Sequence, residues 1–522
     1  MNTDAARVTL DYLDAVHRRV HDPLEPPGFA PDWADRPLPH THHPGAERLP
    51  LPFPATLAQP VPQGPFGLDS LAADLQAAIG IGARRYQVDW NADLANRAAP
   101  HTVRWGRGTP SGGAAYPLEV YWAAGPSAPV PGGVFHYASG LHAMERLSAG
   151  DPTAAVHAAL GPGAAALGDQ FLLCTVRLWK NAFKYHNLAY HLATLDLGAF
   201  TGSWELLSRD RGLPYRQRVW FDQDALNELL GLDPDAEAVH AVLPLRWRAG
   251  EPPVAPAAPV AVRPPHHERS SAVRDFALAR GVQRATAAAP ATAPRAVTLD
   301  EEPVPPGAVT LPGGPDARPA GRAATTLARR SSASGRFDAS RPLEPAALAA
   351  VLRATAPADR TAHEHGAHDA PDEPAALTGL SVVVRRVHGL DPGIYGYHAG
   401  SRTLVPVPGD GPAAVTEELY GLDNYSVGQA PAMLVLHWHP RRTVSAYGPR
   451  AYRAANIEAG AAAQRAHLAA TALDLASGIV LGMDAVPLDA ALGLTGRGRH
   501  SQVYVFLGHH RPGAAGLDGR LR

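Results

Sequence analysis

Three short clusters in this sequence combine residue types that could do chemistry: Arg329-Arg330-Ser331, the run Pro110-Ser111-Gly112-Gly113-Ala114, and the pair Lys184-Tyr185. Two arginines and a serine at a helix start offer guanidinium forks, a hydroxyl and backbone N–H groups, a donor set suited to phosphate, and Arg336 could add to it. The alternative is a solvated basic stretch at the end of a linker. Adjacent glycines between Pro110 and Pro117 suit a loop whose backbone comes close to a flat ligand, with its N–H groups reaching the ligand's polar edge. An ordinary glycine-rich turn is the alternative, weakened because the loop runs straight into the strand-like YPLEVYW. A lysine beside a phenol can take and hold a proton; the alternative is a Lys-Tyr pair at a helix N-terminus with no role.

Other constellations carry less. His40, His42 and His43 in PHTHHPG and His363, His365 and His368 in TAHEHGAHDA have short spacings, but they lie in Pro-rich loops without cysteine or an HExxH-like helix, so no metal is expected. No G-x-G-x-x-G follows a strand and opens a helix, which argues against a Rossmann nicotinamide site. With 47 Lys+Arg against 49 Asp+Glu the chain has no electrostatic footprint for nucleic acid or an anionic membrane. A single cysteine, Cys174, excludes an internal disulfide and any multi-cysteine zinc or iron–sulfur centre. The first twenty residues, MNTDAARVTLDYLDAVHRRV, lack a signal-peptide pattern, and apolar runs such as FLLCTV fall short of the roughly 20 residues that span a bilayer. A cytoplasmic protein is expected, whose chemistry comes from a borrowed cofactor or from acid/base side chains.

The elements that must position these clusters come from a repeat. At 522 residues the chain exceeds one ordinary domain. GVFHYASGLHAMERL (133–147) lies opposite GIYGYHAGSRTLVPV (393–407), 260 residues later, and both read as β-hairpins. KYHNLAYHLATLDLG (184–198) matches AYGPRAYRAANIEAG (446–460), and LNELLGL (226–232) matches LDAALGL (488–494), each 262 residues later; ERLPLP (47–52) has a faint echo in AVTLPG (308–313). Each half runs helix, hairpin, long Ala-rich helix, closing strand, an α+β pattern. The expected organisation is an N-terminal extended arm (1–65) with a helical stretch at 4–19, a first half (66–246), a Pro/Ala-rich linker (247–325) with a helix around ERSSAVRDFALARG, a second half (326–510) and a tail (511–522).

Four stretches of the first half, DWADRPLPHTHHPGAERLPLP, TPSGGAAYPLEVYW, FKYHNLAYHLATLDLG and FDQDALNELLGLDPDAEAVHAVLPL, with LARRSSASGRFD in the second, resemble the SagB/ThcOx-type dehydrogenases of the nitroreductase superfamily. The resemblance implies an α/β/α fold that binds FMN between two subunits, an Arg-Ser cluster from one and a Pro-Ser loop from the other. Here the first half keeps PSGGAAYP but has FGLDSLAADL where the arginines would stand, and the second keeps RRS but has EHGAHDAPDEPAAL in place of the loop. Complementary loss is what an intramolecular pseudodimer predicts, with one FMN per chain. The resemblance further implies Lys184 as base and Tyr185 as its partner, with Ala446-Tyr447 opposite; Gly482 and Met483 over the ring; and Arg497 or Arg499 near the phosphate. The implied activity is oxidation of thiazoline or oxazoline rings to thiazoles or oxazoles in a ribosomally made precursor peptide, delivered with a cyclodehydratase partner. The alternatives are an NAD(P)H-dependent nitro, quinone or enone reductase, and a degenerate scaffold subunit. Either a monomer or a homodimer is compatible with the fusion.

Overall fold

The computed structural model describes residues 3–53, 66–88, 98–247, 260–261, 268–289, 304, 306–313, 323–333, 337–356, 377–409, 411–422, 424–511 and 516–520. Arg336, the second histidine cluster and most of EHGAHDAPDEPAAL lie outside them.

The chain is α+β, two similar halves forming a pseudodimer, and the repeat is visible strand by strand. The first sheet orders its strands Glu47–Pro50, Ala143–Ala149, Gly133–Ala138, Leu118–Ala124, Gln170–Arg177 and Glu237–Pro244. The second orders Val309–Thr310, Thr403–Pro406, Gly393–His398, Thr378–Val384, Ala432–Trp438 and His500–Gly508, with Ala476–Val480 added at its far edge. Even the faint echo is an edge strand in both sheets: Glu47–Pro50 pairs antiparallel with Ala143–Arg146, and Val309–Thr310 with Thr403–Leu404. Central strands such as Leu118–Ala124 and Ala432–Trp438 are buried along their whole length, as apolar runs covered on both faces must be.

One long helix from each half, Ala189–Asp210 and Ala451–Ala472, forms the centre. Their contact is reciprocal. A Cβ on Gly198 would overlap the Ile457 carbonyl, and a Cβ on Gly460 would overlap the Leu195 carbonyl; each residue stands 262 positions from its counterpart. Tyr190 and Tyr452, related in the same way, stack with ring centroids 6.1 Å apart. This is the self-complementary geometry of a two-fold dimer, inside one chain, and only glycine lets the backbones come so close.

The segments outside the repeat lie across this junction. Helix Thr3–His17 places Tyr12 against both central tyrosines, its hydroxyl donating to the Asn187 carbonyl at 2.8 Å, and His17 sits 2.9 Å from Asp489 of the second half. In the linker the helix is Ala277–Ala287, starting nine residues later than the expected ERSSAVRDFALARG stretch, because Ser270 and Ser271 are engaged by Asp35. That helix is buried through Ala279, Val282 and Ala285, and buried Arg450 donates to the carbonyls of Thr286, Ala287 and Ala289. Strand Gly516–Arg520 pairs with Ala83–Val88, returning the C-terminal segment to the first half.

Candidate active site at the junction of the halves

The glycine loop is held in an uncommon conformation. Gly113, Ala114 and Tyr116 all have positive φ (61, 57 and 51°), which costs a non-glycine residue roughly 1–3 kcal/mol and persists where surroundings over-determine it. The surroundings are specific. The Ser111 hydroxyl donates to Asp196 at 2.5 Å, the Gly112 N–H donates to Asp196 at 3.0 Å, and the Tyr116 N–H donates to the Ser111 oxygen at 2.8 Å. Gly113 lies against the Tyr185 hydroxyl so closely that a Cβ would overlap it. The loop therefore packs on the Lys-Tyr pair, with Gly113 and Ala114 themselves exposed. Lys184 and Tyr185 are half-buried, the ammonium 4.8 Å from the phenol's centroid.

Lys184-Tyr185 ends a helix, Leu178–Tyr185, rather than starting one. The next residue, His186, has φ 46°, a conformation its counterpart Gly448 adopts without strain at φ 77°.

The arginines also sit differently from expectation. Arg329 is the last residue of helix Ala323–Arg329, so the cluster lies at a helix C-terminus, where cations complement the dipole, and not at an anion-binding N-terminus. The Ala-rich AATTLAR takes the helix, and the chain leaves it at Arg330. Arg330 is buried and crosses to the first half, donating to the carbonyls of Gly108 at 2.6 Å and Arg107 at 2.9 Å, just upstream of Pro110. Thr109 is tied to Ser203 (2.9 Å), which also accepts from Gln464 of the second half (2.9 Å). Arg329 turns outward to an exposed ion pair with Asp474, and the Ser331 carbonyl faces His467 Nε2 at 3.2 Å.

From Arg330 the second half's wall continues through Tyr425, whose hydroxyl donates to the Ala333 carbonyl at 2.8 Å, to Tyr420 and Gly482. Burial, the neighbouring Tyr425 and the nearby Tyr185 together push the Tyr420 phenol up. Gly482 has no room for a Cβ beside Tyr420 and Leu422, and the Met483 carbonyl accepts from Arg19 at 3.3 Å. Gly482 thus packs on the tyrosine wall, while Met483 is buried behind it. Arg497 is exposed beside the end of the sheet where Trp438 pairs with His500, whereas Ala333 binds Ser477 beside Leu507, seven residues or roughly 23 Å along the strand.

Asp196, Tyr420 and Tyr425 were not singled out from the sequence. Asp196 had a signal in the repeat, since TLDLG and NIEAG place acids at matched positions 196 and 458. The tyrosines had none, because they stand in a connection where the first half has helix Thr153–Leu160 and the residues of the two halves do not match.

The N-terminal arm reaches the same region through charge. Arg107 stacks on Tyr116 (4.1 Å to the centroid) and lies 3.0 Å from His40 Nδ1, while Thr41 donates to Glu119 at 2.6 Å and the His43 N–H to Glu145 at 2.9 Å. His136 sits between Glu119 (3.0 Å) and Glu145 (3.3 Å), and Lys180 bonds Glu119 at 2.5 Å. Burial alone would lower the imidazole, but the two carboxylates push it up to about 9. His40 and the His43 backbone thus tie the arm to this charge network.

The counterpart of this region is closed. Trp220, which corresponds to Gly482, is buried against Tyr447, the counterpart of Tyr185, with centroids 6.4 Å apart.

Residues 327–509 match the Nitroreductase family. No curated protein matches the chain by sequence. Among solved structures, a candidate nitroreductase from Anabaena variabilis is 21% identical, with 97% of this chain and 99% of that one covered and a TM-score of 0.73. One from Ralstonia eutropha (20%, 42% and 95% covered, TM-score 0.28) and the Escherichia coli microcin synthetase McbBCD complex with truncated pro-MccB17 bound (18%, 41% and 79%, TM-score 0.30) align over a single half's worth of chain. No helix among the described residues is long and apolar enough to cross a membrane. By fold the whole chain is a nitroreductase-like pseudodimer, and by sequence its second half carries the Nitroreductase match.

Proposed function

We propose that the chain is an FMN-dependent dehydrogenase that oxidises thiazoline or oxazoline rings in a ribosomally made peptide, with one FMN per chain bound where the glycine loop meets the second half. The observation that carries this reading is the continuity of the junction: Arg330 grips the backbone at 107–108, the strained loop follows at 110–114, and that loop rests on Tyr185. The residues fit the cofactor. Gly113 leaves no room for a Cβ on the face towards Tyr185 and takes a positive φ, so glycine is required at that position of the loop. On the helix that ends in Lys184-Tyr185, fully buried Asn181 has no hydrogen-bond partner for either amide atom among the described residues, a polarity that an arriving group would satisfy.

Bound FMN would supply a two-electron acceptor. Azoline oxidation removes a hydride and a proton; Lys184 would take the proton, and the Tyr185 hydroxyl, packed against Gly113, would orient the ring. Arg330 and Ser331 would face the cofactor's phosphate end, and Tyr420 and Gly482 would close the site from the second half. A cytoplasmic location and a cyclodehydratase partner that delivers the peptide complete the reading.

The test is purification with flavin quantitation, followed by assay on an azoline-containing peptide. One flavin per chain is expected, and Lys184→Ala should stay yellow while losing azoline oxidation. Full activity in that variant would remove Lys184 from the mechanism. Fast flavin bleaching by NADPH with nitroarene turnover would point to the reductase alternative, and a colourless protein to a scaffold.

A further inference from the structure

We propose that Asp196 is the positioning residue of the site: its carboxylate sets the glycine loop against Tyr185, and gaining a proton releases that loop. The inference deepens the flavin reading above and rests on it for its consequence, though not for its geometry.

Asp196 lies on the first central helix, partly buried, and accepts from both the Ser111 hydroxyl (2.5 Å) and the Gly112 N–H (3.0 Å). Ser111 in turn accepts the Tyr116 N–H. One carboxylate therefore fixes both ends of the left-handed segment Gly113, Ala114 and Tyr116, whose backbone strain needs such an anchor. The counterpart, Glu458, does the same in the second half, accepting from the N–H groups of Leu377 (3.1 Å) and Thr378 (3.0 Å) and from the Thr378 hydroxyl (2.6 Å). An acid on the central helix that grips the segment entering the first core strand is thus a feature of both halves. Only in the first does that segment carry the glycines.

An ionised carboxylate is acceptor-only and satisfies two donors at once; a protonated one presents a hydroxyl of its own towards Ser111, whose proton must then turn away from Asp196. The groups facing Asp196 from the loop are the uncharged Ser111 and Gly112, and from its own helix Leu192; among the described residues no charged side chain bears on it. Burial, opposed only by those two hydrogen bonds, pushes its carboxyl up to about 7. The two hydrogen bonds hold the carboxyl below what burial alone would impose, so with the loop released and the carboxyl still buried the proton binds more tightly, and the grip weakens as pH falls towards about 7.

Amide hydrogen exchange of the peptide spanning residues 108–117, measured on the purified full chain stripped of flavin and corrected for intrinsic rates, tests this directly. In the wild type, protection of the Gly112 and Tyr116 amides should fall about tenfold between pH 8 and pH 6. In Asp196→Asn it should be low and flat across that range, and Asp196→Glu should restore a pH dependence. A flat wild-type profile, or wild-type protection with wild-type pH response in Asp196→Asn, would overturn the proposal. FMN affinity measured across the same pH range is a separate arm: it should weaken in step with exchange. Failure to bind FMN at any pH, with the exchange profile intact, would sink the flavin reading and leave the loop latch standing.

Discussion

Tyr185 and Tyr447 occupy matched positions at the ends of matched helices, yet one faces an open loop and the other a filled core. At Tyr185 the opposing half offers Gly482 and Tyr420, the flanking lysine remains, and the glycine loop is exposed. At Tyr447 the opposing half offers Trp220, Ala446 stands for the lysine, and Arg450 ties the linker helix over the position. Backbone symmetry has survived while side chains have divided the labour. A site can be lost by filling as well as by deleting its chemistry, and the filled copy then contributes apolar burial to stability.

Trp220→Ala should have the largest effect, a loss of about 3–5 kcal/mol in denaturant unfolding from removing a fully packed indole, with flavin per folded chain unchanged. Loss of the flavin in that variant would break the contrast; uptake of a second flavin would sharpen it, showing the indole to be the sole barrier. Next come the two reciprocal glycines: Gly198→Ala and Gly460→Ala should each cost roughly 1–3 kcal/mol by overpacking a backbone contact, and by similar amounts. Clearly unequal losses would deny the two-fold relation of the central helices. Arg330→Met should cost about 1.5–3 kcal/mol, since two buried carbonyls lose a charged donor, and should release flavin, whereas Arg329→Met, which removes one half of an exposed ion pair, should change stability by about 0–1 kcal/mol and keep the colour. Equal effects of the two variants would contradict the division between a crossing and an outward arginine.

The smallest expected effect distinguishes the sheets by pH. His136 is raised to about 9, so its contribution to holding the arm is complete below its ordinary 6.5 and disappears as pH rises through 9. Glu119, despite burial, is held well below its usual range by Lys180 and His136, and Glu145 is lowered by His136, so their contribution is present above the ordinary carboxylate range and lost as pH falls. Limited proteolysis within residues 36–48 should therefore be slowest near neutral pH and faster at both extremes. The matched positions in the second half are Gly379, Gly396 and Val405, so strand Val309–Thr310 should show no such window. A pH response of the same shape at both edge strands would remove the charge network as its cause.

Much of the architecture was legible in the residues, because hairpins, long Ala-rich helices and their order are written in local periodicity, and a repeat doubles every signal. The glycine loop and the Lys-Tyr pair stand out in the residues because each is a run of neighbours in sequence. What the residues could not reveal is direction. Arg329 and Arg330 are adjacent and alike, and only packing of helix Ala323–Arg329 sends one guanidinium across to Gly108 and the other out to Asp474. Arg497 matches the resemblance in type and position, but the length of strand His500–Gly508 separates it from Arg330. Asp196 and Trp220 acquire their meaning from partners 85 and 227 residues away, Ser111 and Tyr447, and no local pattern encodes a contact at that range. The sequence by itself determined the elements, their duplication and the inventory of chemical groups. Tertiary structure decided which groups meet, because burial and close packing act between segments that the chain brings together only once it has folded.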